Sequence, residues 1–330
     1  MNPRRKWAVA LGAGMLAAHA PGFAQQQPKR WRIGYLDLGT LRFMEDAGRR
    51  EALMQGLRDK GYVEGKNVEL VMRFADGKAE RLDLLASELA SRKVDLILAP
   101  GTIAVRAAHK AAPATPVVVV TQADPVGSGF AASLARPGGL ITGMSDGVVD
   151  TVTKFVEIMH GLVARLRRLA VLTTPVNTAH PSLVAQIQSA ARQLGVQGIE
   201  VQARAPDEIE RAFAIMVRER ADALIILVDT FLLQQRAQIA RLALGHRLPS
   251  IYPQDYYPEA GGLMSYGADV NDNFRRAGIF VDKILRGAKP ADIPFEQPTR
   301  YYFVVNRKTA AALGVKLSAE LMARVDRVID

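Results

Sequence analysis

Hydrophobic residues along this chain gather in two rhythms. Short β-branched runs recur at Arg32–Leu36, Val68–Phe74, Val94–Leu98, Val117–Thr121, Leu169–Thr173, Ile199–Ala203, Ala223–Val228 and Ser250–Tyr252, and read as buried strands. Between most of them, apolar residues fall at helical spacing, as at Leu82, Leu85 and Leu89, or within 232–244. Strands alternating with helices of this size predict an α/β fold of βαβ units, with parallel sheets covered on both faces.

The pattern has an internal echo. Leu57-Arg-Asp-Lys-Gly61, a strand to Phe74, a helix opening at Ala79-Glu80-Arg81, a strand at Val94–Leu98 and the pair Gly101-Thr102 form one copy. Ala191-Arg-Gln-Leu-Gly195, a strand to Ala203, a helix around Ile209-Glu210-Arg211, a strand at 221–226 and the pair Asp229-Thr230 form the other. Two similarly built lobes in tandem follow, and two loose copies are too few for a solenoid. In open parallel sheets, ligands sit beyond the carboxyl ends of the strands. If those ends face each other across a cleft, its lining comes from Asp37, Gly39 and Thr40; Gly101 and Thr102; and Gln122 and Asp124. The second lobe adds Thr174 and Asn177, Asp229 and Thr230, and Gln254, Asp255 and Tyr256.

The N-terminus runs Arg4-Arg5-Lys6, an apolar stretch from Trp7 to Ala18, then Gly22-Phe23-Ala24. This is the order of a secretory signal peptide cleaved after Ala24, and the apolar stretch is well short of the roughly 20 residues a membrane anchor needs. The paired arginines leave the Sec and twin-arginine routes both open. The mature chain of 306 residues exceeds what one core normally serves, so two domains are expected, joined by ordered crossings because no Ser/Gly/Pro-rich linker divides them. The chain has no cysteine, which excludes disulfides, thiol nucleophiles, Cys-ligated metals and a lipid anchor built on cysteine. Its net charge of +10 falls to +7 once Arg4, Arg5 and Lys6 are removed. The remaining basic residues are interspersed with acidic ones, as on a solvated surface, so no nucleic-acid partner is expected.

Several motifs invite catalytic or cofactor readings. Gly143-Met-Ser145-Asp-Gly147 matches a hydrolase nucleophile elbow, but the following helix starts too late and the histidines lie in no supporting pattern. A secreted serine hydrolase using Ser145 is therefore the alternative, and a glycine-rich lobe crossing the preferred reading. Gly127-Ser-Gly129-Phe-Ala-Ala132 starts too far past its strand for a dinucleotide site, and no Walker-type motif occurs. The five histidines lack metal-ligand spacing. No cofactor, metal or catalytic residue is expected.

Longer segments carry a family resemblance. Gly61-Tyr-Val-Glu-Gly-Lys-Asn-Val68, Ala123-Asp-Pro-Val-Gly127, Leu134-Ala-Arg-Pro-Gly-Gly139, Thr142-Gly-Met-Ser-Asp146 and Glu259-Ala-Gly-Gly-Leu-Met-Ser-Tyr-Gly267 resemble the ABC-transporter substrate-binding proteins that include tryptophan- and tyrosine-type uptake proteins. Lys283–Pro290 and Glu296–Thr299 continue the likeness. The resemblance implies two doubly wound parallel-sheet lobes of the type I periplasmic-binding kind, joined by three crossings near Gly143–Asp146, Tyr256–Gly262 and Phe295–Tyr301. The lobes would be 31–144 with 262–294, and 146–258 with 300–330. It also implies a monomeric periplasmic protein that closes on a small molecule and hands it to the permease of an importer, whose ATPase supplies the energy.

The ligand implied is amino-acid-like. Its carboxylate would meet backbone amides after Gly101 with the Thr102 hydroxyl, and its ammonium Asp229 and Asp124. Phe231, Tyr256 or Tyr266 would cover its side chain. Thr40, Gln122, Asn177, Thr230 and Gln254 complete the candidate site. Helix capping by Asp124 and Asp229 is the competing reading. Asp229-Thr-Phe231 departs from a common family form with proline after the aspartate, which bears on ligand identity.

Overall fold

The computed structural model describes residues 29–330, so the expected signal peptide, 1–24, lies outside the described residues. Two sheets form two lobes. The first is wholly parallel, in the order β2-β1-β3-β4-β5, from Trp31–Asp37 (β1), Val68–Phe74 (β2), Leu96–Pro100 (β3), Val117–Thr121 (β4) and Ile141–Gly143 (β5). The second runs β12-β11-β10-β9-β8-β6-β7. Its strands are Arg168–Thr173 (β6), Gln197–Gln202 (β7), Ala223–Ile226 (β8), Ser250–Tyr252 (β9), Met264–Ala268 (β10), Tyr301–Asn306 (β11) and Arg327–Ile329 (β12).

The continuous apolar runs follow from burial on both faces. Along β3 and β4, Ile97, Ala99, Val117 and Val119 feed one core, while Leu96, Leu98, Val118 and Val120 feed the core on the opposite face. In the second sheet, Leu169, Val171 and Ile225 face one way and Ala170, Leu172, Leu224 and Ile226 the other. Each Val, Leu or Ile so buried contributes about 1.5–3 kcal/mol. A polar residue at any of these positions would face a helix, not water.

The chain passes between lobes three times. After β5 it runs through Met144, Ser145 and Asp146 into the helix Val148–Leu162 of the second lobe. After β10 it returns through Asp269 to the helix Val270–Leu285, which packs on Arg49–Arg58 in the first. The last passage, 294–300, lies beside the first: Ser145 N donates to Glu296 O at 2.9 Å and Glu296 N to Gly143 O at 3.0 Å.

The second passage corrects the sequence expectation. Met264–Ala268 pairs with β9 and β11 in the second sheet, so residues 262–268 belong there and the crossing lies near Asp269, not at Tyr256–Gly262. Gly261, with φ +98°, only turns the chain from the helix Tyr256–Glu259 into β10. A second departure has a topological cause. Because β10 leaves the second lobe at its cleft end and β11 re-enters there, the two strands pair antiparallel within an otherwise parallel sheet.

Candidate functional site

The carboxyl ends of both sheets converge on a cavity of about 40 Å³ between the lobes. The first lobe and its crossing contribute Asp37, Arg49, Gly101, Thr102, Gln122 and Asp146; the second contributes Asn177, Asp229, Thr230 and Gln254, with Val228 and Leu233 as apolar wall. The lobes touch around it. Ser182 of the second lobe donates to Asp124 Oδ2 of the first at 2.7 Å, and Arg106 donates to Thr178. Gly101 has φ +79°, and a Cβ there would stand 2.9 Å from Thr230 Oγ1 across the cleft. Glycine thus lets the helix Thr102–Ala111 start against the opposite lobe.

The expected residues divide into those that line the cavity and those spent elsewhere. Gly101, Thr102, Gln122, Asn177, Asp229, Thr230 and Gln254 line it. Asp229 does so with its carboxylate occupied: Oδ1 accepts from Phe231 N (2.8 Å) and Leu232 N (3.2 Å), and Oδ2 from Asn177 Nδ2 (2.9 Å). It caps the helix Thr230–Gln234. Thr40 caps Leu41–Asp46 by accepting from Phe43 N and does not line the cavity. Asp124 holds Gly127 N and Ser182, a tie between lobes outside the lining. Tyr266 stacks on Tyr301 with centroids 5.8 Å apart, and Tyr256 lies in an outer crevice beside Asp46 and Glu259. Neither they nor Phe231 forms a wall of the cavity, so the expected aromatic cover is not built.

Of the charged groups that line the cavity, Asp37 and Asp229 are among those expected, whereas Arg49 and Asp146 are not. Arg49 is 5% exposed, makes no ion pair among the described residues, and leaves Nε and Nη2 without acceptors. Gln122 donates through Nε2 to Ser128 at 2.8 Å and leaves Oε1 buried and unpartnered. Asp146 accepts from the Thr121 hydroxyl through Oδ1, its carboxylate making no other hydrogen bond among the described residues. It keeps part of its surface open between the lobes, yet burial among protein atoms pushes its carboxyl up to about 6, against the pull of the Thr121 and backbone hydrogen bonds and of Arg49. Asp37 is also raised by burial, opposed by the Gly39 N–H and the Tyr35 hydroxyl that it accepts. The lining thus holds a cation without an ion-pair partner, a partly exposed carboxylate and a buried, unpartnered amide oxygen.

Ser145 belongs to the crossing. Its hydroxyl accepts from Gly147 N at 3.3 Å, and no histidine among the described residues hydrogen-bonds it. Gly143 has φ +144° and Gly147 φ +65°, torsions that account for both glycines of the elbow-like motif. His180 is held by Thr174 and by Val228 O.

Residues 43–329 match the family model described as ABC transporter substrate binding protein. The chain belongs to the ABC transporter substrate-binding protein family. Among its relatives, the tyrosine-binding protein of Clostridioides difficile (strain R20291) is 25% identical over 272 residues, 82% of this chain and 78% of that protein. As a substrate-binding protein, the chain also has solved structural neighbours. An ABC domain in complex with L-Trp from Streptococcus pneumonia superposes with a TM-score of 0.84 at 22% identity, covering 91% of this chain and all of that one. The ligand-free, open structure of a substrate binding protein from Clostridium difficile gives a TM-score of 0.65 at 23% identity, covering 91% and 99%. The fold of this substrate-binding protein is that of the type I periplasmic binding proteins.

Proposed function

We propose that this protein is exported to the periplasm, where it captures an α-amino acid between its lobes and delivers it to the permease of an ABC importer. The observation that carries this reading is Arg49, a buried guanidinium with unpartnered donors on the lining of a cavity built from both lobes. A buried, unpaired charge is costly, and a ligand carboxylate entering between the lobes offsets that cost through charge-assisted hydrogen bonds. The helix start at Gly101–Thr102 adds backbone N–H groups to the same anion. The ligand ammonium takes Asp146 and Gln122 Oε1, in place of Asp229, which caps a helix, and Asp124, which ties the lobes together. The names of the tyrosine-binding relative and the L-Trp complex support the amino-acid class.

Closure on the ligand is supported by the contacts between lobes and by the better superposition on the L-Trp complex than on the open structure. Calorimetry with the L-amino acids on wild type and Arg49→Met tests the proposal. Wild type binds at least one of them, and the variant loses about 100-fold in affinity, or ~2.7 kcal/mol. Equal affinity in the two proteins would remove Arg49 from the site. For export, the mature periplasmic protein should have the intact mass of residues 25–330, with no added lipid.

A further inference from the structure

Resting on that reading of Arg49, we infer that Phe43 is a positioning residue: it holds the Arg49 guanidinium over the cavity only when the lobes are closed. Phe43 stands on the helix Leu41–Asp46 of the first lobe, yet its ring packs against the hydrophobic core of the second. Its centroid lies 5.6 Å from that of Tyr256, edge-on at 69°. Two guanidinium groups flank the ring, Arg49 of its own lobe at 4.7 Å and Arg236 of the other at 4.9 Å.

Arg49 makes no ion pair among the described residues, and Asp37 and Asp146 act on it only at longer range, so the groups in contact with its guanidinium are aromatic: Phe43, Tyr256 at 5.2 Å and Phe274 at 5.5 Å. Only Phe274 and Phe43 come from the lobe that carries Arg49. When the lobes part, Tyr256 and Arg236 leave with the second lobe, Phe43 loses the core it packs on, and Arg49 meets water. Ring faces attract a desolvated cation far more than a hydrated one. The group that meets the ligand carboxylate is therefore ordered by closure, and the ligand gains differential affinity for the closed state, as any closure driven by binding requires.

Phe43 thus acts through Arg49, and a double-mutant cycle separates that role from simple packing between lobes. Phe43→Leu should lower amino-acid affinity about tenfold, through faster dissociation, while association stays within about twofold. Phe43→Tyr should restore it. In an Arg49→Met background, Phe43→Leu should change affinity less than twofold. An equal loss in both backgrounds, or no loss in either, overturns the positioning role.

The chain has no native cysteine, so spin labels on Leu84→Cys and Val217→Cys, exposed and one on each lobe, report lobe separation with and without the amino-acid mixture. Phe43→Leu should reduce the closed fraction where Arg49 is present and leave it unchanged in Arg49→Met. If no amino acid binds wild type, the proposed ligand class fails. The label cycle, run on the ligand-free protein, then decides the role of Phe43 alone: a closed fraction insensitive to Phe43→Leu, or equally sensitive in both backgrounds, rejects it.

Discussion

With Asp146 as the proposed partner of the ligand ammonium, ligand affinity and the stability of the empty protein pull in opposite directions there. Its carboxyl is raised from 3.8 to about 6, chiefly by burial, so between those values the folded protein holds a proton that the unfolded chain has lost. Folding stability therefore falls as pH rises through this window, and the full cost is present above about pH 6. Each pH unit is worth about 1.4 kcal/mol, which sets the cost at no more than about 3 kcal/mol. Asp146→Asn should raise the melting temperature of the ligand-free protein at pH 7, have no effect below about pH 4, and weaken amino-acid binding. A variant that melts no higher at pH 7 would remove the burial cost. Asp229 behaves differently, because its carboxylate already accepts from Phe231, Leu232 and Asn177. Asp229→Ala should destabilise the ligand-free protein by about 0.5–2 kcal/mol in urea denaturation. Arg49 was not legible beforehand: in Arg49-Arg50-Glu51 it looks like any charged helical surface, and only its stacking against Phe43, Tyr256 and Phe274 reveals that it is buried.

Two helices meet where their sequences give little warning. Arg49–Arg58 and Val270–Leu285 cross at Gly56 and Gly278; a Cβ on the first would overlap Arg275 O, and one on the second Gly56 O. The approach lets Leu53, Leu57, Phe274, Ala277 and Val281 share one core. Gly278→Ala should cost about 1–3 kcal/mol, read as a lower urea midpoint with an unchanged m-value. An unchanged midpoint would mean the helices shift apart freely. The strands were easier to read, since Val117–Thr121 and Leu169–Thr173 carry runs that only a sheet covered on both faces explains. Met264–Ala268 and Tyr301–Asn306 were missed: Gly261-Gly262 looks like the break between lobes, and the aromatic start of β11 follows a proline-rich crossing without strand rhythm.

At the scale of the whole molecule, the cavity exists only while both lobes contribute to it, because Arg49 and Gln122 come from one and Asn177 and Thr230 from the other. Saturating ligand should reduce the radius of gyration in small-angle scattering, and equal radii with and without it would reject closure. The two-lobe plan follows from the repeated strand–helix layout, whereas which residues face the cleft depends on contacts between segments far apart in sequence, such as Ser182 with Asp124.

The discontinuous lobes also bear on synthesis. The core that Leu53 and Leu57 enter is closed by Phe274, Phe280 and Val281, more than two hundred residues later, and the second sheet awaits β11 and β12. A nascent chain ending before Val270 has completed neither lobe. For the export proposed above, the delay suits passage through a channel that takes unfolded chains: the order of the segments keeps both lobes incomplete until most of the protein has been made.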